Sequence, residues 1–142
     1  MKDIIDLIGR VLIAFIFLFE AYDSIKYFKG TKELMTEYGL TWRQDLLLIT
    51  AILFLILGGI LVLIGYRMTL GAGMLLLYYI PVTFILHGFW RETGAEYRAE
   101  SIMFMKNLAI IGGLMNVMVN TSGKYSIKRL FATTKIPSSR RG

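Results

Sequence analysis

Four long stretches of apolar residues dominate the hydrophobic pattern of this 142-residue chain. They cover about 4–27, 46–65, 68–88 and 102–120, and each is near the ~20 helical residues that the hydrocarbon core of a bilayer requires. The connections between them are too short to hold a soluble domain. The pattern therefore predicts an all-α membrane protein: a four-transmembrane-helix bundle over residues 1–122, followed by a basic tail over residues 123–142.

The distribution of Lys and Arg orients the four spans. The tail carries six basic residues from Lys124 onward and no acidic residue, and the turn between the second and third spans carries Arg67. The first loop also holds basic residues, Lys29, Lys32 and Arg43, which reduces the difference in basic charge between the two sides of the membrane. The positive-inside rule predicts that both termini and the Arg67 turn are cytoplasmic. Because the excess positive charge lies beside a span, we expect the tail to meet anionic lipid and expect no nucleic-acid partner.

Composition narrows the chemistry that the chain can perform. Hydrophobic residues make up 56% of the sequence and the mean hydropathy is +0.59, values typical of a membrane protein. Without cysteine, the chain cannot by itself build a disulfide relay, a thiolate metal site or an iron–sulfur cluster. His87 is the single histidine, which excludes a bis-histidine haem within one chain. No complete catalytic constellation is present in this chain alone, so the sequence leaves enzymatic activity open.

Glycines and one proline recur inside the predicted spans. A helix backbone can approach its neighbour closely at glycine, which predicts tight helix packing in the last three spans. The glycines concerned are Gly58, Gly59, Gly71, Gly73, Gly112 and Gly113. Pro81 removes one backbone hydrogen bond in the third span, so we expect a kink near Leu77.

Charged residues interrupt the first span. A charge inside the hydrocarbon costs at least ~2.5 kcal/mol on insertion scales, so each such residue needs a partner or a role. Arg10 lies four residues after Asp6, on one helical face, and the two are predicted to form an ion pair. Further along the span are Glu20 and Asp23.

The predicted topology brings Glu20 and Asp23 to the depth of three polar residues from the third and fourth spans. These are His87, Lys106 and Asn107. In a structural interpretation of this cluster, Lys106 forms a salt bridge with Glu20 or Asp23 and the charges neutralise one another.

In a functional interpretation, the same five residues form an outward-facing site for the headgroup of a quinone or quinol. His87 and Glu20 would exchange protons with the ligand oxygens, and Tyr78 and Tyr79 would line an aromatic cleft. The sequence indicates no intrinsic cofactor. Quinone or quinol is the one cofactor that it suggests as a bound ligand.

Several motifs resemble the DoxX family of small four-helix membrane proteins. Gly9 and Arg10 open an apolar, aromatic first helix, and His-Gly-Phe-Trp at 87–90 closes the third. The most specific match is Phe-Met-Lys-Asn-Leu at 104–108, followed by paired glycines at 112–113. The resemblance covers about residues 9–120. It implies a bundle related to the quinone-reducing membrane subunit of thiosulfate oxidation and to membrane partners of redox enzymes.

The chain differs from the usual family pattern in the first helix. Glu-Ala-Tyr-Asp stands at 20–23, where family members tend to carry a glycine followed by a lysine. This reverses the local charge, so a site for an anionic substrate such as thiosulfate does not transfer directly to this chain.

Three functional hypotheses follow for a protein of the bacterial cytoplasmic (inner) membrane. The favoured one is an accessory, non-catalytic subunit of a larger respiratory or other redox complex, with other membrane-protein subunits as partners. The alternative is a quinone-binding membrane subunit of an oxidoreductase. A small-solute or proton carrier is the third, but the chain lacks the inverted repeats and broken helix pairs common in transporters.

Overall fold

A computed structural model of the chain describes residues 1–120 and residue 127, and the described part is helical without strands. It contains five α-helices, with a 3-10 turn at Phe89–Arg91 before the last of them. The helices are α1 (Lys2–Lys26), α2 (Phe28–Glu37), α3 (Gln44–Ile64), α4 (Met68–Leu86) and α5 (Gly94–Val119). The predicted all-α class is confirmed, and the predicted tail at 123–142 lies outside the described residues except for residue 127.

Three helical segments of the described chain are long and apolar enough to cross a membrane: Gln44–Ile64, Met68–Arg91 and Gly94–Val119. They correspond to the second, third and fourth predicted spans. The 25-residue helix α1 is long enough but is not among them. Its apolar side chains are interrupted by Arg10, Glu20 and Asp23.

The long helices pack in chain order: α1 mainly on α3, α3 on α4, and α4 on α5. The fully buried side chains along these contacts include Phe17, Leu55, Leu75 and Leu114. α1 and α5 meet at fewer places. Buried side chains from all four long helices nevertheless form one apolar core.

The closest helix approach is between α3 and α4 at two glycines. A Cβ atom built on Gly58 would lie 2.9 Å from the Gly71 carbonyl oxygen, and one built on Gly71 would lie 3.0 Å from the Gly58 oxygen. The prediction of glycine-mediated packing is confirmed for this pair. It is wrong for Gly112, where a Cβ would meet nothing within 4 Å.

Arg10 ties α1 to the end of α3. Its side chain is 1% exposed; Nε donates to Asp6 Oδ2 at 3.0 Å, and Nη1 donates to the Leu63 carbonyl oxygen at 3.1 Å. The predicted ion pair is confirmed. Arg10 also satisfies a carbonyl in the last turn of α3, where no further helical N–H is available to it.

Helix α2 lies in a segment that the sequence pattern treats only as a connection. It buries no residue, and polar contacts hold it to the start of α3. Lys32 Nζ lies 2.7 Å from Asp45 Oδ1, and Gln44 Nε2 lies 2.7 Å from Thr36 Oγ1 and 2.8 Å from the Leu40 carbonyl oxygen. These contacts place α2 across the end of the bundle at which α1 ends and α3 begins.

Candidate functional site

The five residues predicted to share a headgroup site differ in their burial and in their hydrogen-bond partners. Asn107 is buried, Glu20 and His87 are partly buried, and Asp23 and Lys106 are exposed. The three less exposed side chains each bond to a different partner.

Glu20 joins α1 to α4. The Tyr78 hydroxyl donates to Glu20 Oε1 at 2.8 Å. The carboxyl group is therefore held by a neutral donor on the neighbouring helix.

Asn107 joins α5 to α4 at Tyr79, the residue that follows Tyr78. The Tyr79 hydroxyl donates to Asn107 Oδ1 at 2.8 Å, and Asn107 Nδ2 donates to Thr83 Oγ1 at 3.3 Å. The Tyr79 ring packs edge-on against Phe17 of α1, with 5.2 Å between ring centroids. All four side chains are buried, so this network links three helices in the core.

His87 joins the end of α4 to the first half of α5. Its Nδ1 lies 2.7 Å from Glu100 Oε2, and both side chains are partly exposed. The same two elements and the turn between them carry an aromatic cluster, formed by edge-on contacts and one tilted contact among Phe84, Phe89, Trp90, Tyr97 and Phe104.

The glycine of the His-Gly-Phe-Trp motif is required by this cluster. A Cβ atom on Gly88 would lie 3.0 Å from Trp90 Cζ2 and 3.2 Å from the Phe84 carbonyl oxygen. A larger residue would displace the Trp90 ring, so the motif shapes this end of the bundle.

The predicted salt bridge of Lys106 with Glu20 or Asp23 is wrong. Within residues 1–120, Lys106 takes part in neither of the ion pairs Arg10–Asp6 and Lys32–Asp45, nor in the contact between His87 and Glu100. Successive residues of a helix point about 100° apart, so only one of two neighbours on α5 can face α4. Asn107 occupies that inward position, and Lys106 is exposed.

A cavity of about 420 Å³ lies between α2, α3 and α4. Its lining is apolar except for Thr31, Thr50 and Tyr78. None of the five predicted residues lines it, but Tyr78 is the hydrogen-bond partner of Glu20. In the described part of the chain, no group of three or more histidine or carboxylate side chains is arranged to hold a metal ion.

Sequence reasoning singled out Glu20, Asn107 and His87 but did not find their partners. Tyr78 and Tyr79 were expected only as walls of a cleft, and Thr83 and Glu100 carried no signal of a pairing. A polar residue in an apolar span indicates that a partner exists. Which residue it is depends on the rotation of each helix.

Comparison with known proteins is consistent with the motifs and the helical architecture. The DoxX family model matches residues 5–88. The chain is similar to inner membrane protein YqjF of Escherichia coli K12, at 28% identity over 130 residues that cover 92% of this chain and 94% of that protein. It is also similar to inner membrane protein YphA of the same organism, at 25% identity over 128 residues, covering 90% and 91%.

No solved structure matches the chain significantly. The family model covers more than half of the chain, and both bacterial relatives align over nearly their whole length. The chain therefore belongs to the DoxX family and is a multi-pass protein of the inner membrane.

Proposed function

We propose that this protein is an accessory, non-catalytic subunit of a larger inner-membrane complex, respiratory or otherwise redox-active. The observation that carries the proposal is that polar side chains inside the bundle bond to one another across helices. Glu20 bonds to Tyr78 and Asn107 bonds to Tyr79. Polar side chains that bond to one another across helices stabilise the bundle. In this proposal the stable bundle acts by binding neighbouring subunits.

In this proposal α1 is a fourth membrane span and both termini are cytoplasmic. Arg10, near the start of α1, bonds to Leu63 at the end of α3, and Glu20, in the second half, bonds to α4. α1 thus lies antiparallel to α3 over most of its length. Arg10 and Glu20 have polar partners within the protein, which lowers the cost of burying them in hydrocarbon. The basic tail would meet anionic lipid on the cytoplasmic side.

Purification of the tagged, full-length chain in a mild detergent, after cross-linking in the membrane, tests the accessory role. We expect other membrane-protein subunits to copurify in fixed ratio, and we expect deletion of the chain to reduce assembly of their complex. An unrelated inner-membrane protein, tagged and expressed at the same level, is the control. The proposal is wrong if the chain is recovered alone and its deletion leaves every membrane complex intact.

Quinone binding is a second candidate function, favoured by the cavity between α2, α3 and α4. Its volume of about 420 Å³ is in the range of small-molecule sites, and its lining combines apolar side chains with few polar ones. Tyr78 lines this cavity, and its hydroxyl donates a hydrogen bond to Glu20, so the hydroxyl oxygen can still accept a hydrogen bond from a quinol hydroxyl. The headgroup would then lie beside Tyr78, with Glu20 behind it.

Photo-cross-linking with an azido-quinone tests this second candidate. We expect the label on residues that line the cavity, and we expect Glu20→Gln to reduce the labelling. Asp23→Asn is the matched control, because Asp23 is an exposed carboxylate one turn further along α1. Equal labelling of both variants, or labelling outside the cavity, would exclude this candidate.

A further inference from the structure

We infer that a groove on the lipid-facing side of α4 binds one anionic phospholipid, with the phosphate on Arg67 and an acyl chain along the groove. The proposal does not depend on the accessory role, and it concerns a surface separate from the cavity beside α2.

The groove has the length and the lining of a site for an acyl chain. Its volume is about 930 Å³, and it extends along α4 from Arg67 to Pro81, with Met118 of α5 on one side. Fourteen residues of helix correspond to about 21 Å, most of the ~30 Å hydrocarbon core. Apart from Arg67 and Thr69, its lining is apolar, and Leu77 within it is 70% exposed. The groove therefore opens toward the lipid.

Gly73, which has no side chain, lies at the base of the groove. A Cβ atom on Gly73 would have only Met118 Cε within 4 Å, at 3.9 Å, whereas Gly58 and Gly71 are closely covered by the facing helix. The space above Gly73 is thus not filled by the described protein. In a bilayer, hydrocarbon chains are the molecules that surround this surface.

Arg67 supplies a positive charge at one end of the groove. It is exposed, its guanidinium lies 6.0 Å from the centre of the Tyr66 ring, and it forms none of the ion pairs found among residues 1–120. Thr69, the other polar residue of the lining, already donates to the Met118 carbonyl oxygen at 3.0 Å. A guanidinium binds phosphate through paired hydrogen bonds, so an anionic headgroup complements this end.

Two pairs of variants, each a test and its control, measure separately what the Arg67 charge and the open space of the groove contribute to lipid binding. Arg67→Gln removes the headgroup contact. Arg43→Gln is its control, because Arg43 also precedes a long helix with positive φ (41° against 47°) and lies over an aromatic ring, but does not line the groove. Gly73→Leu fills the groove, and Gly112→Leu is its control, since a Cβ there meets nothing within 4 Å.

Native mass spectrometry of the detergent-purified full chain, titrated with phosphatidylglycerol, is the measurement. We expect one lipid to bind the natural sequence and both controls, and we expect Arg67→Gln and Gly73→Leu each to weaken binding by roughly tenfold, as loss of a charge-assisted pair or of a filled site would. Circular dichroism establishes that each variant is folded. The proposal fails if either test variant binds like its control, or if Gly73→Leu abolishes a dimer or a subunit contact and leaves lipid binding unchanged.

A second measurement avoids substitutions altogether. Phosphatidylglycerol with a diazirine at the end of its acyl chain is photolysed in membranes that contain the natural sequence. We expect adducts on α4 and α5 along the groove, including Met74 and Met118. Adducts spread equally over the lipid-facing residues of α1, such as Leu12 and Phe15, would overturn the proposal.

Discussion

Arg10 is the least exposed charged side chain in the described part of the protein, and its contacts explain why a charge is tolerated inside α1. Its guanidinium reaches both a carboxylate on its own helix and a carbonyl on α3. A buried charge is costly chiefly when its partners are removed, because each group left behind is desolvated and unpaired.

We therefore expect Arg10→Met to lower the free energy of unfolding by roughly 3 kcal/mol. The methionine fills similar space but leaves the Leu63 carbonyl without this donor and Asp6 without its ion-pair partner. Asp6→Asn should cost less, because Asp6 is 26% exposed and the amide can still accept from Arg10. Denaturation in detergent, followed by circular dichroism, measures both; equal stability of Arg10→Met and the natural protein would contradict this account.

The network of Tyr79, Asn107 and Thr83 gives a second prediction at this scale. Asn107→Leu keeps the branched shape of the side chain but leaves the Tyr79 hydroxyl without its acceptor, which we expect to cost about 1–2 kcal/mol. In a Tyr79→Phe background the same change should cost measurably less, because the unpaired hydroxyl is gone. Additive losses across this double-mutant cycle would show that the bond does not stabilise the bundle.

The neighbouring residues Lys106 and Asn107 show what sequence can predict about such contacts. Both are polar residues in an apolar span, so both were expected to need partners. Asn107 faces α4, whereas Lys106, one position earlier, is exposed. The hydrophobic pattern does not predict which of the two faces inward, because α5 has apolar residues on most of its sides. Long helices in lipid have apolar residues on their outer and inner faces alike, so rotation about the helix axis is weakly encoded.

At the scale of elements, the glycines of α3 and α4 make the closest helix contact. We expect Gly58→Ala to destabilise the bundle by about 1–3 kcal/mol, because the new methyl would lie 2.7 Å from Leu75 Cγ and 2.9 Å from the Gly71 oxygen. Gly112→Ala, at an open position, should be neutral or stabilising, since alanine favours helix over glycine by up to about 1 kcal/mol. Melting temperatures of the two variants check this, and an equal loss in both would contradict the proposed close contact.

The boundaries of the helices were predicted well where apolar residues define them and poorly elsewhere. The second and third spans agree with α3 and α4 to within two residues. α5 begins at Gly94, well before the predicted start at 102, because the polar residues before 102 continue the helix beyond the apolar stretch. α2 was not predicted as a helix, since its ten residues are too few and too polar to register as a span.

At the scale of the whole molecule, the account depends on α1. The three other long helices are apolar enough to be recognised as spans, whereas α1 is not. The proposal that it crosses the bilayer with them is supported by its packing on α3 and its bonds to α3 and α4. A fourth crossing would place the N-terminus on the same side as the Arg67 turn.

Labelling of single cysteines in intact and lysed cells tests this claim most directly, because the natural chain contains no cysteine. We expect a membrane-impermeant maleimide to label Thr41→Cys and Ala95→Cys in intact cells, and Lys2→Cys and Tyr66→Cys only after lysis. If Lys2→Cys and Thr41→Cys are labelled from the same side, α1 does not cross the membrane and the four-span account is wrong.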